Sequence, residues 1–148
     1  MLWHERETPG NRKGRTMGAV EDCFTYYGAH QWQQLRTVFD HSDFKRSGYN
    51  DLFTDADKYV DFLAEMVPTF GADYQLETER IVYTPGEEVA FAQFVEHLEL
   101  KGVMTEIPET IIFDLNDDGL IWRMSLYIKQ PGGPAQVDGE DAKGATAG

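Results

Sequence analysis

The sequence holds one cysteine, half as many basic as acidic residues, and no long apolar run, and each shortage closes off a class of protein. Cys23 is alone among 148 residues, so no disulfide forms within the chain, which suits a reducing compartment. Lys and Arg total 13 against 26 Asp and Glu, a formal net charge of -13 that repels phosphate backbones and anionic lipid headgroups. Neither nucleic acid nor a membrane is expected as a partner. No apolar stretch approaches the roughly 18 residues of a spanning helix, and the N-terminus lacks the apolar core of a secretory signal, so the expected location is the cytoplasm. His4, His30, His41 and His97 show no metal-ligand spacing, and no Gly-rich phosphate loop or nucleophile elbow appears, so neither metal nor cofactor is expected. Residues 114–119 match the first half of a calcium loop, D-x-N-x-D-G. The twelfth position is Ser125 instead of a bidentate Glu, and no helices flank it, so a hairpin turn is the reading.

What the sequence does have is 41% hydrophobic residues over a length that suits one domain and falls short of two. Residues 1–18 are basic and broken by Gly and Pro, and residues 131–148 are Gly, Ala, Pro and Asp in no repeating order. They read as a flexible N-terminal extension and a disordered C-terminal tail around a domain at 19–130. Within it, residues 20–27 and 32–39 space aromatic and aliphatic side chains as helices do, with a break at Gly28-Ala29-His30. A third helix starts near Thr54 and Asp57, which resemble a capping box, and runs through Tyr59, Leu63, Met66 and Val67 to Pro68. Residues 44–46 suit a short strand and 74–83 a longer one turning at Thr84-Pro85-Gly86. The register of 74–83 against 89–100 is open by one residue, and with it whether Arg80 enters the interior.

Residues 88–129 read as three antiparallel strands joined at Lys101-Gly102 and Asn116-Asp117-Asp118-Gly119, where Gly, Asn and Asp accept positive φ. Pairing outward from those turns sets Leu98 near Thr105, Glu96 near Ile107, Phe94 near Glu109, and Glu109 near Leu126. One face then carries Phe94, Leu98, Ile107, Ile111, Phe113, Trp122, Met124, Leu126 and Ile128 together with two acids, Glu96 and Glu109. The other carries Gln93, His97, Glu99, Glu106, Asp114, Arg123, Ser125 and Lys129, with Phe91, Val95, Ile112, Ile121 and Tyr127 among them. An isolated carboxylate is costly to bury, so two acids on an apolar face point to a pocket with a chemical purpose, or else to ion pairs with Lys45, Arg46 or Arg80. The apolar residues left on the polar side suit a homodimer through the sheet.

Helices followed by a strongly curved antiparallel sheet describe an α+β cone in which the helices cover the apolar face around a pocket. The stretch Asp22-Cys23-Phe24-Thr25-Tyr26-Tyr27-Gly28-Ala29-His30-Gln31-Trp32, the Val38-Phe39-Asp40 helix end, the helix at 59–63, and Phe113-Asp114 through Asp118-Gly119-Leu120-Ile121 resemble the nuclear transport factor 2-like superfamily. The likeness is to its SnoaL-like and ketosteroid-isomerase-like branch. It implies the cone fold, a homodimer, and one of several functions that this superfamily hosts: isomerases, cyclases, epoxide hydrolases, dehydratases and non-catalytic binders. By this resemblance Cys23 stands where ketosteroid-isomerase-like members place a phenolic donor and Ser47 where they place a carboxylate base, and neither matches. Glu109 falls on their protonated acid. Leu126 falls where limonene-epoxide-hydrolase-like members carry an acid, which makes epoxide hydrolysis the less favoured chemistry.

Glu109 is thus the candidate acid or oxyanion partner and Glu96 the candidate base, since one of two carboxyls sharing an apolar site keeps its proton near neutral pH. Tyr26 and Tyr49 are the candidate phenolic donors, and Phe24, Tyr27, Phe94, Trp122, Met124 and Leu126 the candidate wall. His97 has the intrinsic pKa of a general base, but alternation turns it away from that face. Cys23, lone on an apolar helix face, reads as buried and inert. The expected function is binding of a small hydrophobic molecule, with cofactor-free isomerase, cyclase or dehydratase chemistry. The alternative is a non-catalytic ligand-binding or dimerisation module.

Overall fold

The computed structural model describes residues 18–129 together with the backbone of His4 and Glu5. Its elements run β1 (His4–Glu5), α1 (Ala19–Gly28), α2 (Trp32–Leu35), a 3-10 turn (Arg36–Val38), β2 (Lys45–Ser47), β3 (Leu52–Phe53), α3 (Ala56–Met66), a second 3-10 turn (Val67–Phe70), β4 (Gln75–Tyr83), β5 (Val89–Leu100), β6 (Val103–Leu115) and β7 (Ile121–Ile128).

Helical spacing of Ala19, Val20, Cys23 and Phe24 gives α1 its buried side. The helix stops where His30 takes a φ of 56°, which lets the Gln31 N–H reach back to the Tyr26 carbonyl at 2.8 Å. In α3 the capping residue is Asp55, not Thr54: its carboxylate accepts from the Lys58 N–H at 3.0 Å. Ala56, Tyr59, Val60 and Leu63 then fall on one buried stripe, and Pro68 tightens the end into the second 3-10 turn.

The sheet order is β1-β4-β5-β6-β7-β2-β3. Strands β4 to β7 form an antiparallel meander, and β2 joins β7 in parallel. The cone expected from the sequence is therefore an α+β arrangement with an open, mixed sheet whose outermost strands, β1 and β3, do not meet. Connectivity explains the parallel pair: β2 enters from the helices, and no hairpin turn ties it to β7. The register of β5 with β6 is the one read from the Lys101-Gly102 turn, with Glu96 opposite Ile107 and Phe94 opposite Glu109. The register of β6 with β7 differs: Glu109 lies opposite Ile128, and Leu126 faces Ile111. A five-residue loop between Leu115 and Ile121 and a bulge at Asp114/Leu115 add one residue each, and a slip of two leaves the side chains from Arg123 onward on their faces.

The helices cover one face of the sheet, and Tyr83, Phe39, Phe113, Leu35 and Leu63 are fully buried between the layers. Ile121, placed by alternation on the polar face, is fully buried too, because beyond the bulge it bridges to Phe39 at the end of the first helical layer. The expected tails at 1–18 and 131–148 lie outside the described residues, save Gly18 and the His4–Glu5 backbone, which pairs with Tyr83 and Val82. Among the described residues no helix is long and apolar enough to cross a membrane.

Candidate functional site

Between helices and sheet lies a cavity of about 260 Å³. That is near the lower end of the roughly 300–1,000 Å³ typical of small-molecule sites, so a compact ligand fits best. Strands β5 to β7 supply its floor through Phe94, Glu96, Glu109, Ile111, Met124 and Leu126. Cys23, Phe24 and Tyr27 of α1 and Tyr59, Leu63 and Met66 of α3 form the roof. Arg46 of β2, with Tyr49 and Asp51 from the turn that follows, closes one end.

The two acids are diagonal neighbours on adjacent strands, and their carboxyls are hydrogen-bonded to each other. Two ionised carboxylates cannot make such a bond, so one carries a proton. Glu109 is that one. It is only 5% exposed, and burial, then the hydrogen bond and charge of Glu96, push its carboxyl up to about 10, with Arg46 opposing more weakly. Its buried Oε2 meets no other donor. Glu96 is held instead by phenols: the Tyr74 hydroxyl donates to Glu96 Oε2 at 2.5 Å, and the Tyr27 hydroxyl donates to Tyr74. Burial raises both phenols far above their ordinary range, with the charge of Glu96 adding to it, so both remain O–H donors. The chain Tyr27, Tyr74, Glu96, Glu109 thus has a direction, with the acceptor at Glu96 and the second proton at Glu109.

Of the three cations that could have neutralised these acids, Lys45 is exposed, and Arg80 lies on the opposite face with its Nε 2.7 Å from Gln93 Oε1. The bulge at Thr78/Arg80 settles that register. Arg46 is inside, 8% exposed, yet its ion pair at 2.5 Å is with Asp51. Its guanidinium also sits 5.1 Å from the centre of the Tyr59 ring. Among the described residues no ion pair reaches Glu96 or Glu109.

Of the sequence-derived candidates, Glu96, Glu109, Phe24, Phe94, Met124 and Leu126 line the cavity, as does Tyr49 at its rim, 77% exposed. Tyr26 and Trp122 do not. Tyr26 is one step round α1 from Tyr27, which takes the inward position four residues after Cys23. Trp122 lies near the β7 bulge, where the Arg123 guanidinium covers its ring at 5.0 Å. Tyr27 also lines the cavity, and the residues missing from the candidate set are Tyr74 and Arg46. Tyr74 stands two before Leu76, which faces Glu96, and Arg46 two after the buried Phe44, so alternation alone carried a signal for both. His97 is on the outer face between Glu77 Oε1 at 2.9 Å and Glu106 Oε1 at 3.5 Å. Burial, with Asp22 adding, pushes the Cys23 thiol up to about 12, far from a thiolate nucleophile. The Asn116 Oδ1 accepts from the Asp118 and Leu120 N–H groups at 2.9 Å while its Nδ2 donates to Asp40 Oδ2 at 2.9 Å, and no metal-binding group of side chains occurs among the described residues.

No protein-family model matches this sequence, and no curated protein does. Solved structures do match. A protein of Kribbella flavida DSM 17836, provisionally named a ketosteroid isomerase, superposes with a TM-score of 0.64 at 15% identity, over 80% of this chain and 81% of its own. One from Jannaschia sp. CCS1, provisionally named a SnoaL-like polyketide cyclase, gives 0.62 at 17% identity over 75% and 83%. A Mycobacterium tuberculosis protein in complex with estradiol-17β-hemisuccinate gives 0.62 at 15% identity over 74% and 89%. The fold of this chain is therefore the nuclear transport factor 2-like fold. At such identities likeness fixes the architecture and leaves the chemistry to the side chains.

Proposed function

We propose that this protein binds a small, largely hydrophobic molecule bearing a carbonyl, enol or epoxide oxygen in the inner cavity, and that Glu96 and Glu109 perform cofactor-free acid–base chemistry on it. Isomerisation, cyclisation and dehydration all fit. Glu96 is the base that takes a proton from carbon, and Glu109, still protonated, supports the oxygen on which charge builds. Phe24, Phe94, Met124 and Leu126 hold the apolar body, with Tyr49 at the entrance. The carrying observation is the pair itself: a buried neutral acid against a carboxylate fixed by Tyr74, in a cavity otherwise apolar. One structural neighbour is in complex with estradiol-17β-hemisuccinate, an apolar body with a polar end, and that complex supports the reading. The same proposal covers a domain at 19–130, a cytoplasmic location and a homodimer through the outer sheet face around Phe91, Val95, Ile112 and Tyr127.

The test is proton exchange. With 2-acetylnaphthalene in deuterated water, the protein should accelerate loss of the methyl proton signal, and Glu96→Gln should abolish that acceleration while keeping the ketone bound. A second reading, a binding module without turnover, draws on Cys23 and Leu126, which put neither a phenol nor an acid at two positions lining the cavity. Binding without accelerated exchange selects it, and no binding at all removes both.

A further inference from the structure

Arg46 is the cationic residue of the cavity, and the acid–base pair does not use it. Its guanidinium carries five N–H donors and no acceptor, and Asp51 is its one hydrogen-bond partner among the described residues. Its Nε is buried and unpartnered. The countercharge lies toward solvent: the Asp51 side chain is 37% exposed against 10% for Arg46, so the cation is the inner member of the pair. The site is built around it. A methyl group on Gly48 would overlap both the guanidinium and the Asp51 carboxylate, and the Gly48 N–H closes the turn onto the Asp51 carbonyl at 2.9 Å. A structural counterion for Glu109 would have bonded to it. Arg46 instead acts on Glu109 only through its charge.

We propose that Arg46 recognises the oxygen of the ligand as it becomes anionic, and that the ligands of this cavity are hydrophobic molecules with an acidic enol or phenol or an enolisable carbonyl. This rests on the acid–base reading above and narrows it. A neutral ligand enters; its C–H or O–H bond breaks, the proton forms an O–H bond on Glu96, and the electron pair comes to rest on the ligand oxygen opposite Arg46. The net charge of the cavity is unchanged, because the negative charge moves from Glu96 to the ligand. A ligand that arrives as a carboxylate would add an anion beside both Glu96 and Asp51, and an amine would meet Arg46. The selected class is therefore a neutral oxygen or carbon acid.

The probe is 4-nitrophenol, whose phenolate absorbs at longer wavelength than the phenol, with 4-nitroanisole as a neutral isostere lacking the acidic proton. At a pH about one unit below the pKa of the free probe, where about one-tenth is ionised, the bound nitrophenol should show mainly the phenolate band. It should also bind about tenfold or more tighter than the anisole. Arg46→Met should lose the band and the preference while keeping anisole affinity, and Arg46→Lys should restore part of both. A bound nitrophenol that stays neutral in the wild type, beside normal anisole binding, overturns the role of Arg46 and leaves the hydrophobic cavity standing. A phenolate band that persists in folded Arg46→Met overturns it too. Failure of both probes to bind the wild type removes the cavity reading and this inference together. Should Arg46→Met not fold, the wild-type spectrum and Arg46→Lys decide.

Discussion

Glu96 and His97 are consecutive in β5, and the pleat sends them to opposite faces with opposite electrostatic solutions. Outside, acids meet basic side chains: Glu77 and Glu106 flank His97, and Asp114 Oδ2 lies 2.8 Å from Arg123 Nε. Inside, two acids meet each other and a phenol, while the cation at the end of the cavity is turned to Asp51. Both arrangements satisfy carboxyl groups, but only the inner one does so by keeping a proton that a ligand could share. The outer pairs sit in water, where each is worth about 0–1 kcal/mol. The inner pair is held by the packing of the whole cavity, so its removal should be felt in ways that the outer pairs cannot match.

The largest expected effect is at Glu109. In the folded chain this group holds its proton up to about pH 10, whereas an unfolded Glu releases it near about 4.3. Between those limits the folded state binds more protons than the unfolded state, so stability falls as pH rises, by at most about 1.4 kcal/mol per unit. Glu109→Gln keeps the shape and a donor while removing the proton, so its stability should be nearly flat relative to wild type from about pH 5 to 9. Glu77→Gln on the outer face should keep the wild-type slope. Urea unfolding at a series of pH values reads this directly. A Glu109→Gln protein destabilised by several kcal/mol at every pH would mean that the side chain anchors a buried cation and that the inner face is no different in kind from the outer.

A smaller effect is expected at Tyr74. Tyr74→Phe removes the donor to Glu96 Oε2 and the acceptor of the Tyr27 hydroxyl together, at a cost of about 1–3 kcal/mol for the groups left unpaired. The same change should slow any ketone proton exchange, since Glu96 loses the hydrogen bond that fixes its position. Unchanged stability and exchange would show that water replaces the hydroxyl and that the chain of phenols is not part of the site.

The fold was legible where local chemistry is strong. Lys101 and Gly102, with φ of 52° and 79°, fixed the β5–β6 register, and through it the meeting of Glu96 and Glu109. The β6–β7 register was not legible, because a bulge leaves no residue signature of its own between Asp114 and Leu115. Trp122 was misplaced for a related reason: alternation gives a face but not how far along it a cavity extends. Arg46 was readable as buried, yet its partner Asp51 depends on a turn that only Gly48 hints at. Tyr74 precedes the strand and joins the site by reaching across to β5, a contact set by the packing of Tyr27 and Phe70 around its ring.

The smallest expected effect sharpens the comparison most. His97→Ala should change stability by less than about 1 kcal/mol, since the imidazole is half-buried beside carboxylates that water can serve equally well. Added salt should shrink even that, as surface pairs are screened over about 10 Å at 0.1 M. The proposed homodimer alters this outcome in one respect. If the outer face packs against a second copy, His97 and its two acids are enclosed, and the melting temperature of the wild type should rise with protein concentration. The penalty of His97→Ala should then grow with concentration, because the alanine leaves Glu77 and Glu106 facing each other in the interface without the imidazole between them. Melting curves for both proteins over a hundredfold concentration range separate the cases. A concentration-independent difference of a few tenths of a kcal/mol keeps the outer face solvated and withdraws the dimer, while the inner pair, enclosed by its own chain, should show no such dependence either way.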